Sequence, residues 1–437
     1  MKIHNSHCTP VPYSDDAEGW AYRFADLDGF VLLNSRKRDA GGGRYDIISA
    51  LPDRLIAVND FSGDAGVWMA AVEQELCSDV DESSRLAIGF LDFETAAFST
   101  LGIPCKPLQS ATAAIYSWHL LQDHSERRAW LIMDPGIKPE VAAEVAKRIH
   151  DTYEAKEHNF YLKQEFKADI SEDEYLEKVA RVRQFIAAGD CYQANIAQRF
   201  SAYFGGSDFG LYNALKDVAP GDYSAFLRLQ QGHAIISLSP ERFLSIDGRR
   251  VYSQPIKGTA PRFDDPQRDA ESAKALLASG KDRAENIMIV DLLRNDLGHF
   301  CATGTVSVSE ICALYSYDNV HHLVSRVEGE LRNGFTAGQA LIAASPGGSI
   351  TGAPKKRAVE IIQSLETAPR GAYCGSIFAM NGDGWLESSI AIRTLEAIGE
   401  RLYCWGGGGV TWDSVPEQEY RETLHKVRGF MAALETQ

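Results

Sequence analysis

The most informative segment of the chain is Gln254-Pro255-Ile256-Lys257-Gly258-Thr259. Its lysine stands between a predicted strand, residues 251–256, and a glycine turn. Glu241 stands sixteen residues upstream of Lys257, in Ser239-Pro240-Glu241-Arg242-Phe243, where a second strand is predicted to begin. An amine and a carboxyl group on adjacent strands suit covalent nucleophilic catalysis with a general acid. A salt-bridged lysine at a strand end is the structural alternative.

The overall composition is that of a globular protein. With 437 residues, of which 45% are hydrophobic, the chain can hold either two or three average domains or one large one. Its formal net charge of −16 disfavours a nucleic acid or an anionic membrane as partner. An anionic substrate is not excluded, because a local site can be positive on an acidic protein.

The termini and the cysteines point to the cytoplasm. The first residues, Met1-Lys2-Ile3-His4-Asn5, lack the apolar core of a signal peptide, and no apolar run is long enough to span a bilayer. The eight cysteines are scattered and form no Cys-x-x-Cys pair. Reduced, structural thiols are therefore expected.

Hydrophobic spacing and turn signals predict an α+β chain with much antiparallel sheet. Residues 1–165 carry few motifs; strands are predicted there at 30–34, 86–91 and 113–121, and a helix at 140–158. Residues 166–437 alternate hairpins with helices. The predicted features of that part are a capping box at Ser171 and Glu174, helices at 285–297 and 354–365, strands at 385–397 and 401–405, and a helix that begins at a second capping box, Ser414-Val415-Pro416-Glu417, and ends at Leu434.

Three carboxylates on two predicted helices suggest a metal site. Glu419, Glu422 and Lys426 are spaced so that they share roughly one helix face, and Glu285 belongs to another helix. Two helices that each offer a carboxylate suit Mg²⁺, which takes a few protein oxygens and keeps waters or substrate as its other ligands. A solvated, charged helix face is the alternative, above all for Glu419.

Two glycine-rich stretches are candidate anion sites. Residues 346–355, Pro-Gly-Gly-Ser-Ile-Thr-Gly-Ala-Pro-Lys, lead into a predicted helix start, and Gly406 to Gly409 are predicted to form a loop after a strand. Backbone N–H groups at such turns can bind an anion. Together with Arg393 on a strand and Lys426 on a helix, they fit a small molecule with more than one carboxylate.

Several motifs, in order along the chain, resemble the chorismate-utilising enzymes, the family that includes anthranilate synthase component I. The Pro-Ile-Lys-Gly-Thr segment resembles the aminodeoxychorismate-forming branch, whereas the anthranilate enzymes typically carry alanine in place of the lysine. The resemblance covers roughly residues 170–435. The other motifs are Cys191-Tyr192-Gln193-Ala194-Asn195, Ser239-Pro240-Glu241-Arg242-Phe243, Asp291-Leu292-Leu293-Arg294-Asn295-Asp296, Gly352-Ala353-Pro354-Lys355, Arg370-Gly371-Ala372-Tyr373-Cys374-Gly375-Ser376 and Glu419-Tyr420-Arg421-Glu422-Thr423.

The resemblance implies a fold and a reaction. The fold would be one large α/β/α domain around two orthogonal antiparallel sheets, in which an N-terminal segment, 1–165, is interwoven with a chorismate-binding catalytic region, 166–437. Lys257 would attack ring carbon 2 of chorismate, and Glu241 would assist loss of the 4-hydroxyl group. Ammonia would then displace the lysine and leave an amino group at carbon 4. His322 would stand beside the ring; a core histidine is the alternative there.

The resemblance also implies the ligands. Mg²⁺ would be held on the ring carboxylate by Glu285 and Glu422, with Glu419 acting through water. Gln193 favours ammonia as the nucleophile, because the isochorismate and salicylate synthases carry a lysine at this position to activate water. The substrate would be bound by Gln193, Thr259, Thr351, Gly352, Tyr373, Arg393, Lys426 and the amides of Gly407, Gly408 and Gly409.

The resemblance further implies a partner subunit and a second pocket. No stretch is typical of a glutamine-hydrolysing domain, so ammonia would come from a separate glutaminase subunit. The family has a tryptophan pocket in its N-terminal region. Ser35 lies near the matching place, although residues 36–43 depart from the family's pattern.

Two alternatives remain open at this stage. Anthranilate synthase component I shares the fold, but Lys257 disfavours it. A non-catalytic relative that binds chorismate or a glutaminase is the alternative of another class. The combination of Lys257, Glu241, Glu285 and Glu422 argues against it.

Overall fold

A computed structural model describes residues 7–35, 43–77, 84–104, 111–150, 158–218, 221–317 and 320–436. Within these residues the chain forms 22 strands and eleven helices. In the first part of the chain the elements are β1 (Cys8–Val11), α1 (Glu18–Phe24), β2 (Val31–Asn34), β3 (Tyr45–Ser49), β4 (Arg54–Ala57), α2 (Ala65–Leu76), β5 (Leu86–Leu91), α3 (Phe93–Leu101), β6 (Thr112–Tyr116), β7 (Trp118–Asp123), β8 (Arg128–Met133), α4 (Pro139–His150) and β9 (Phe160–Ala168).

The remaining elements are again a mixture of helices and runs of consecutive strands. The middle of the chain contains α5 (Glu172–Ala187), β10 (Gln193–Gly206), α6 (Asp208–Leu215), β11 (Tyr223–Gln230), β12 (His233–Ser239), β13 (Arg242–Asp247), β14 (Arg250–Ser253), β15 (Ile256–Pro261), α7 (Pro266–Ala278) and α8 (Gly280–Gly298). The last part contains β16 (Ser307–Ser316), β17 (Val320–Glu330), α9 (Ala337–Ala344), β18 (Gly352–Ala353), α10 (Lys355–Leu365), β19 (Ser376–Asn381), β20 (Trp385–Ile390), β21 (Thr394–Ile398), β22 (Arg401–Val410) and α11 (Pro416–Glu435).

The strands form two antiparallel sheets. The first has twelve strands in the order β1-β8-β7-β3-β2-β11-β12-β21-β22-β10-β18, with β9 paired to β10. The second has ten in the order β15-β17-β14-β13-β20-β19-β5-β6-β4, with β16 paired to β17. Strands from residues 1–165 and from residues 166–437 stand side by side in both sheets.

Apolar side chains pack the two sheets against each other and cover each with helices. Between the sheets, buried residues of the first, such as Ile47 and Ile235, meet Ile88 and Ile377 of the second. Helices α1, α6 and α11 cover the first sheet, while α2, α8, α9 and α10 contribute to the core cluster that includes the second. The burial of apolar surface in these three clusters, one between the sheets and one on the outer side of each, stabilises the fold.

Three predicted strands are wrong in extent, because each is divided into two; in the first two the chain also passes from one sheet to the other. The predicted strand 113–121 is two strands, since β6 pairs with β5 in the second sheet and β7 with β3 in the first. The predicted strand 385–397 breaks at Arg393, whose φ of 54° carries the chain from β20 into β21. The predicted strand 251–256 divides into β14 and β15, so that Lys257 lies inside a strand rather than after one.

The helix starts give a mixed outcome. The capping box at Ser171 and Glu174 is confirmed, because each side chain bonds the other residue's backbone N–H. The one predicted at Ser414 is wrong. Val415 occupies the cap position without a side-chain cap, and the Ser414 hydroxyl instead accepts the N–H of Thr411.

Candidate active site

Lys257 and Glu241 both bond to one residue between them, Ser349. Lys257 Nζ donates to the backbone carbonyl of Ser349 at 3.4 Å, and the Ser349 hydroxyl donates to Glu241 Oε1 at 2.7 Å. Ser349 belongs to a short 3₁₀ turn in the first glycine-rich stretch. The predicted amine and carboxyl pair is therefore brought together, with a serine as the bridge.

The strand that carries Lys257 requires its glycine. In β15, Lys257 is paired with Leu323 of β17, and the register shifts just after it. Gly258 has a φ of +80°, and a Cβ there would approach the Asp282 side chain at 2.9 Å. A residue with a side chain would be strained and crowded at this position, so the glycine serves to fix Lys257 against α8.

Glu241 is the most buried acid at the centre of the site. It is 7% exposed, and Ile390 and Ser239 hold its backbone. Burial raises the pKa of Glu241 above its ordinary value, although the charge of Lys257 and the hydrogen bond from Ser349 oppose the rise. A carboxyl whose protonated form is favoured in this way suits a general acid.

The three predicted metal ligands surround this centre from two helices. Glu285 on α8 interacts electrostatically with Lys257 and with Glu422 on α11. Burial raises the pKa values of Glu285 and Glu419. Burial also opposes ionisation of Glu422, yet Lys426, whose Nζ lies 2.6 Å from Glu422 Oε1, brings its pKa below the ordinary value.

These carboxylates leave a space between them but do not form a closed ligand set. No group of three or more His, Cys, Asp and Glu side chains in the described part of the chain is gathered so that it could hold a metal ion. A Cβ added at Gly408 would lie 3.0 Å from Glu419 Oε2 and 3.5 Å from Glu422 Oε1, so the glycine keeps this space open. Hard carboxylate oxygens beside a substrate site fit Mg²⁺ in donor chemistry.

The second glycine stretch is part of a strand, so the predicted loop at Gly406 to Gly409 is wrong. β22 continues through these glycines, with Gly407, Gly408 and Gly409 paired to Ala197, Ile196 and Asn195 of β10. The pairing of β22 with β21 ends at Cys404. Beyond that point the β21 side of the strand has no register partner among the described residues, which leaves its amides on that side to face a ligand.

Cations and an aromatic ring surround this unpaired strand edge, whose residues Gly406 to Gly408 are buried. Lys426 Nζ donates to the Gly407 carbonyl at 2.7 Å, and Arg393 Nη1 donates to the Lys426 carbonyl at 3.0 Å. The ring of Tyr373 is stacked on Trp405, with centroids 5.7 Å apart. A Cβ at Gly407 would come within 2.9 Å of the Tyr373 hydroxyl, so that hydroxyl lies against the glycine strand.

Gln193 and Gly352 lie on the opposite side of the glycine strand. Gln193 is buried, and a Cβ at Gly409 would overlap its side-chain nitrogen. Gly352 has a φ of +140° and pairs with Ala194, so closely that a Cβ would overlap the Gln193 carbonyl. The Thr351 hydroxyl donates to the Gly347 carbonyl at 2.9 Å, which ties it to its own turn.

Thr259 and His322 form a separate pair at the edge of the second sheet. Thr259 Oγ1 lies 2.9 Å from His322 Nδ1, in register across β15 and β17, and the His322 ring packs edge-on against Tyr317. His322 is half-buried and is next in sequence to Leu323, the residue that pairs with Lys257 across β15 and β17. A position of His322 beside the ring of a bound substrate stays a prediction.

Ser35 lines a cavity on another side of the molecule. The cavity is about 610 Å³ in volume and lies between the two sheets, where Tyr45, Tyr223 and Trp385 contribute to its wall. Ser35 Oγ donates to the Tyr45 carbonyl at 3.0 Å. Residues 36–42, which depart from the family's pattern, lie outside the described residues, and tryptophan binding stays a prediction.

The sequence did not single out two contributors to the site. Ser349 was visible only as one residue of a glycine-rich stretch, and nothing in its spacing indicates that it bridges Lys257 and Glu241. Arg370 is fully buried and donates to Glu366 and to the carbonyls of Ile350 and Asn195. A buried arginine of this kind joins elements that are far apart in sequence, so only the fold reveals it.

Comparisons with known proteins cover the whole site. A model of the family described as chorismate binding enzyme matches residues 33–432. Aminodeoxychorismate synthase component 1 of Escherichia coli is 42% identical over 448 aligned residues, covering 96% of each sequence. Its counterpart in Bacillus subtilis is 35% identical, covering 93% of this chain and 91% of that one. In structure, anthranilate synthase component I of Streptococcus pneumoniae aligns with a TM-score of 0.74 at 25% identity, covering 99% of this chain and 93% of the other.

Proposed function

The chain belongs to the chorismate binding enzyme family, and on that premise we propose that it converts chorismate and ammonia into 4-amino-4-deoxychorismate. The predicted family and its fold of two antiparallel sheets are confirmed. The observation that carries the choice of reaction is Lys257, bridged through Ser349 to the buried carboxyl of Glu241. Making the product supplies a precursor of 4-aminobenzoate and folate.

The first chemical step would join substrate and enzyme. Lys257 Nζ attacks ring carbon 2, the two conjugated ring double bonds each shift by one bond toward carbon 4, and the bond between carbon 4 and its hydroxyl breaks. Glu241 gives its proton to the departing hydroxyl, which leaves as water. The hydrogen bond from Ser349 Oγ to Glu241 Oε1 keeps the carboxyl group oriented into the site.

The second step would restore the lysine. Ammonia adds at carbon 4, both ring double bonds shift back, and the bond between Lys257 Nζ and carbon 2 breaks. The surplus proton of the new ammonium group passes to Glu241, which returns to its acid form. Gln193, an amide without a basic group, leaves water unactivated and so favours ammonia over water at this stage.

Substrate binding rests on cations and backbone amides. The carboxylates of chorismate would be bound by Arg393, Lys426 and Tyr373 and by the unpaired edge of the strand at Gly407 to Gly409. Glu285 and Glu422 would hold Mg²⁺ and Glu419 would reach it through water. Bound there, the ion would neutralise the ring carboxylate.

The same-fold alternative, anthranilate synthase component I, is disfavoured by Lys257, where those enzymes typically carry alanine. The combination of Lys257, Glu241, Glu285 and Glu422 argues against a non-catalytic relative. No helix among the described residues is long and apolar enough to cross a membrane. A cytoplasmic location is part of the proposal and is supported by the seven described cysteines, all of them free thiols.

Partner dependence gives one prediction. The purified chain should be inactive with glutamine as the only nitrogen source. It should be active with ammonium chloride at raised pH, where more free ammonia is present. The measurement is chorismate consumption with each nitrogen source, with and without an added glutaminase subunit. Turnover with glutamine by the pure chain would contradict the need for a separate subunit.

The role of Glu241 gives a second prediction. Glu241→Gln should slow formation of the lysine adduct about a hundredfold or more, since general acids contribute about 10²–10⁴. Because burial raises its pKa, Glu241 keeps its proton to a higher pH than an ordinary carboxyl. The wild-type rate of this step should therefore fall as pH rises through that raised pKa, and the variant should lack this fall.

The measurement is a rapid-quench single turnover without ammonia, over a range of pH. Glu387→Gln is a matched control, because Glu387 lies in the same sheet and pairs with Arg242 instead of facing Lys257. An adduct rate in Glu241→Gln equal to that of the wild type would remove Glu241 from the reaction.

A further inference from the structure

The turn that carries Tyr373 is held by two buried carboxyl groups from distant parts of the chain. Glu94, in the first turn of α3, accepts the backbone N–H of Arg370 at 2.8 Å with Oε1 and that of Gly371 at 3.0 Å with Oε2. Glu396 of β21 accepts the next N–H, that of Ala372, at 3.2 Å. Three successive amides are thus bound by two side chains, both less than a tenth exposed.

The backbone of this turn is in an unfavourable conformation without such support. Gly371 and Cys374 both have a φ of 62°, and at Cys374 this left-handed conformation is costly because the residue has a Cβ. Tyr373 lies between these two residues. The turn therefore needs external contacts to keep the tyrosine in one place.

The position of Tyr373 matters because its ring faces the glycine strand. The ring is stacked on Trp405 with an interplanar angle of 5°, and its hydroxyl lies beside Gly407. Arg370 extends the same support, since its guanidinium donates to the carbonyl groups of Asn195 and Ile350, two residues that are also bonded to each other. A shift of this turn would move the tyrosine and loosen the glycine-rich stretch with it.

We propose that Glu94 and Glu396 are positioning residues that fix Tyr373 in its substrate-binding place. The inference rests on the proposed function for the identity of the substrate. Neither residue touches the site itself; both act through the backbone of residues 370–372. Residues 1–165, which carry few motifs, thereby contribute indirectly to substrate binding through Glu94.

The chemistry of this contact calls for carboxylates. Both oxygens of Glu94 accept an N–H, which an amide cannot reproduce because it offers one acceptor oxygen and an NH₂ group. His233 Nε2 lies 2.8 Å from the other oxygen of Glu396 and orients it. Asp92, buried beside Glu94, is bonded instead to the N–H groups of Thr95 and Ala111. Asp92 is therefore a matched control of equal burial on the same segment.

The first test measures the turn itself. Hydrogen exchange of the peptide that covers residues 370–375 should become about tenfold faster in Glu94→Gln, the order expected when one hydrogen bond is lost. Asp92→Asn should not make this peptide exchange faster, because it leaves the hydrogen bonds of Glu94 in place and removes a charge that raises the pKa of Glu94. Unchanged exchange in both Glu94→Gln and Glu396→Gln would overturn the proposal. No chorismate is needed, so this test stands even if the proposed reaction fails.

The second test measures catalysis with ammonium as nitrogen source. In Glu94→Gln we expect KM for chorismate to rise about tenfold with kcat little changed, since the lost contact acts on binding in ground state and transition state alike. In a Tyr373→Phe background the same substitution should add much less, because both changes act through one hydroxyl. Full additivity, or a fall in kcat with unchanged KM, would show that Glu94 does not act through Tyr373.

Discussion

Lys257→Ala should lose the covalent adduct and reduce aminodeoxychorismate formation by about a thousandfold or more, the scale on which loss of a nucleophile acts. The reason is geometric. Lys257 is the amine that faces Glu241, with Ser349 holding both groups. Without the amine, ring carbon 2 has no nucleophile and the hydroxyl at carbon 4 does not leave.

The adduct can be detected when ammonia is withheld. Mass spectrometry of a rapid digest should find the mass of the dehydrated ring on the wild-type peptide that bears Lys257. Lys163→Ala is a suitable control, because Lys163 is also a lysine within a strand. It lies in β9, away from the site, and forms an ion pair with Glu400 at 2.8 Å. A Lys257→Ala enzyme that formed the product at the wild-type rate would reduce Lys257 to a binding or structural residue.

Glu285→Gln and Glu422→Gln should each lower activity about a hundredfold or more while the fold persists. Each carboxylate would provide one of the few protein oxygens for Mg²⁺. When one of these carboxylates is lost, the remaining ligands offset less of the free-energy cost of dehydrating the ion. The substitutions should not unfold the chain, since Glu285 and Glu422 are 30% and 50% exposed at the side chain.

Magnesium titration with and without a chelator measures this effect, and circular dichroism checks the fold. Glu417→Gln is the matched control, an exposed acid on α11 five residues before Glu422. We expect the control to need the same Mg²⁺ concentration as the wild type, and the two site variants to need far more. Full activity of the wild type in excess chelator would contradict the magnesium site.

The chemistry of the site could be predicted from sequence to a useful extent. Lys257 and Glu241 were predicted to lie on adjacent strands; β15 and β13 are instead separated by β17 and β14 in the sheet, and the Ser349 turn closes the gap. Helical spacing correctly placed Glu419, Glu422 and Lys426 on one helix, because side chains three and four residues apart share a face.

Other features depend on long-range packing that local patterns do not encode. The run Gly406 to Gly409 suggests a loop, because glycine does not favour strands. Pairing with β10, which the local sequence does not reveal, nevertheless makes this run part of a strand. Arg393 breaks a predicted strand because the chain must cross there from one sheet to the other. Glu94 acts on residues more than 270 positions away, as its bond to Arg370 shows, and no spacing rule connects them.

The identity of the product tests the central claim most directly. The purified chain is incubated with chorismate, Mg²⁺ and an ammonium salt, with and without an aminodeoxychorismate lyase, and the products are separated by chromatography. We predict 4-amino-4-deoxychorismate without the lyase and 4-aminobenzoate with it. Anthranilate as the product, or chorismate left unchanged under these conditions, would contradict the assignment.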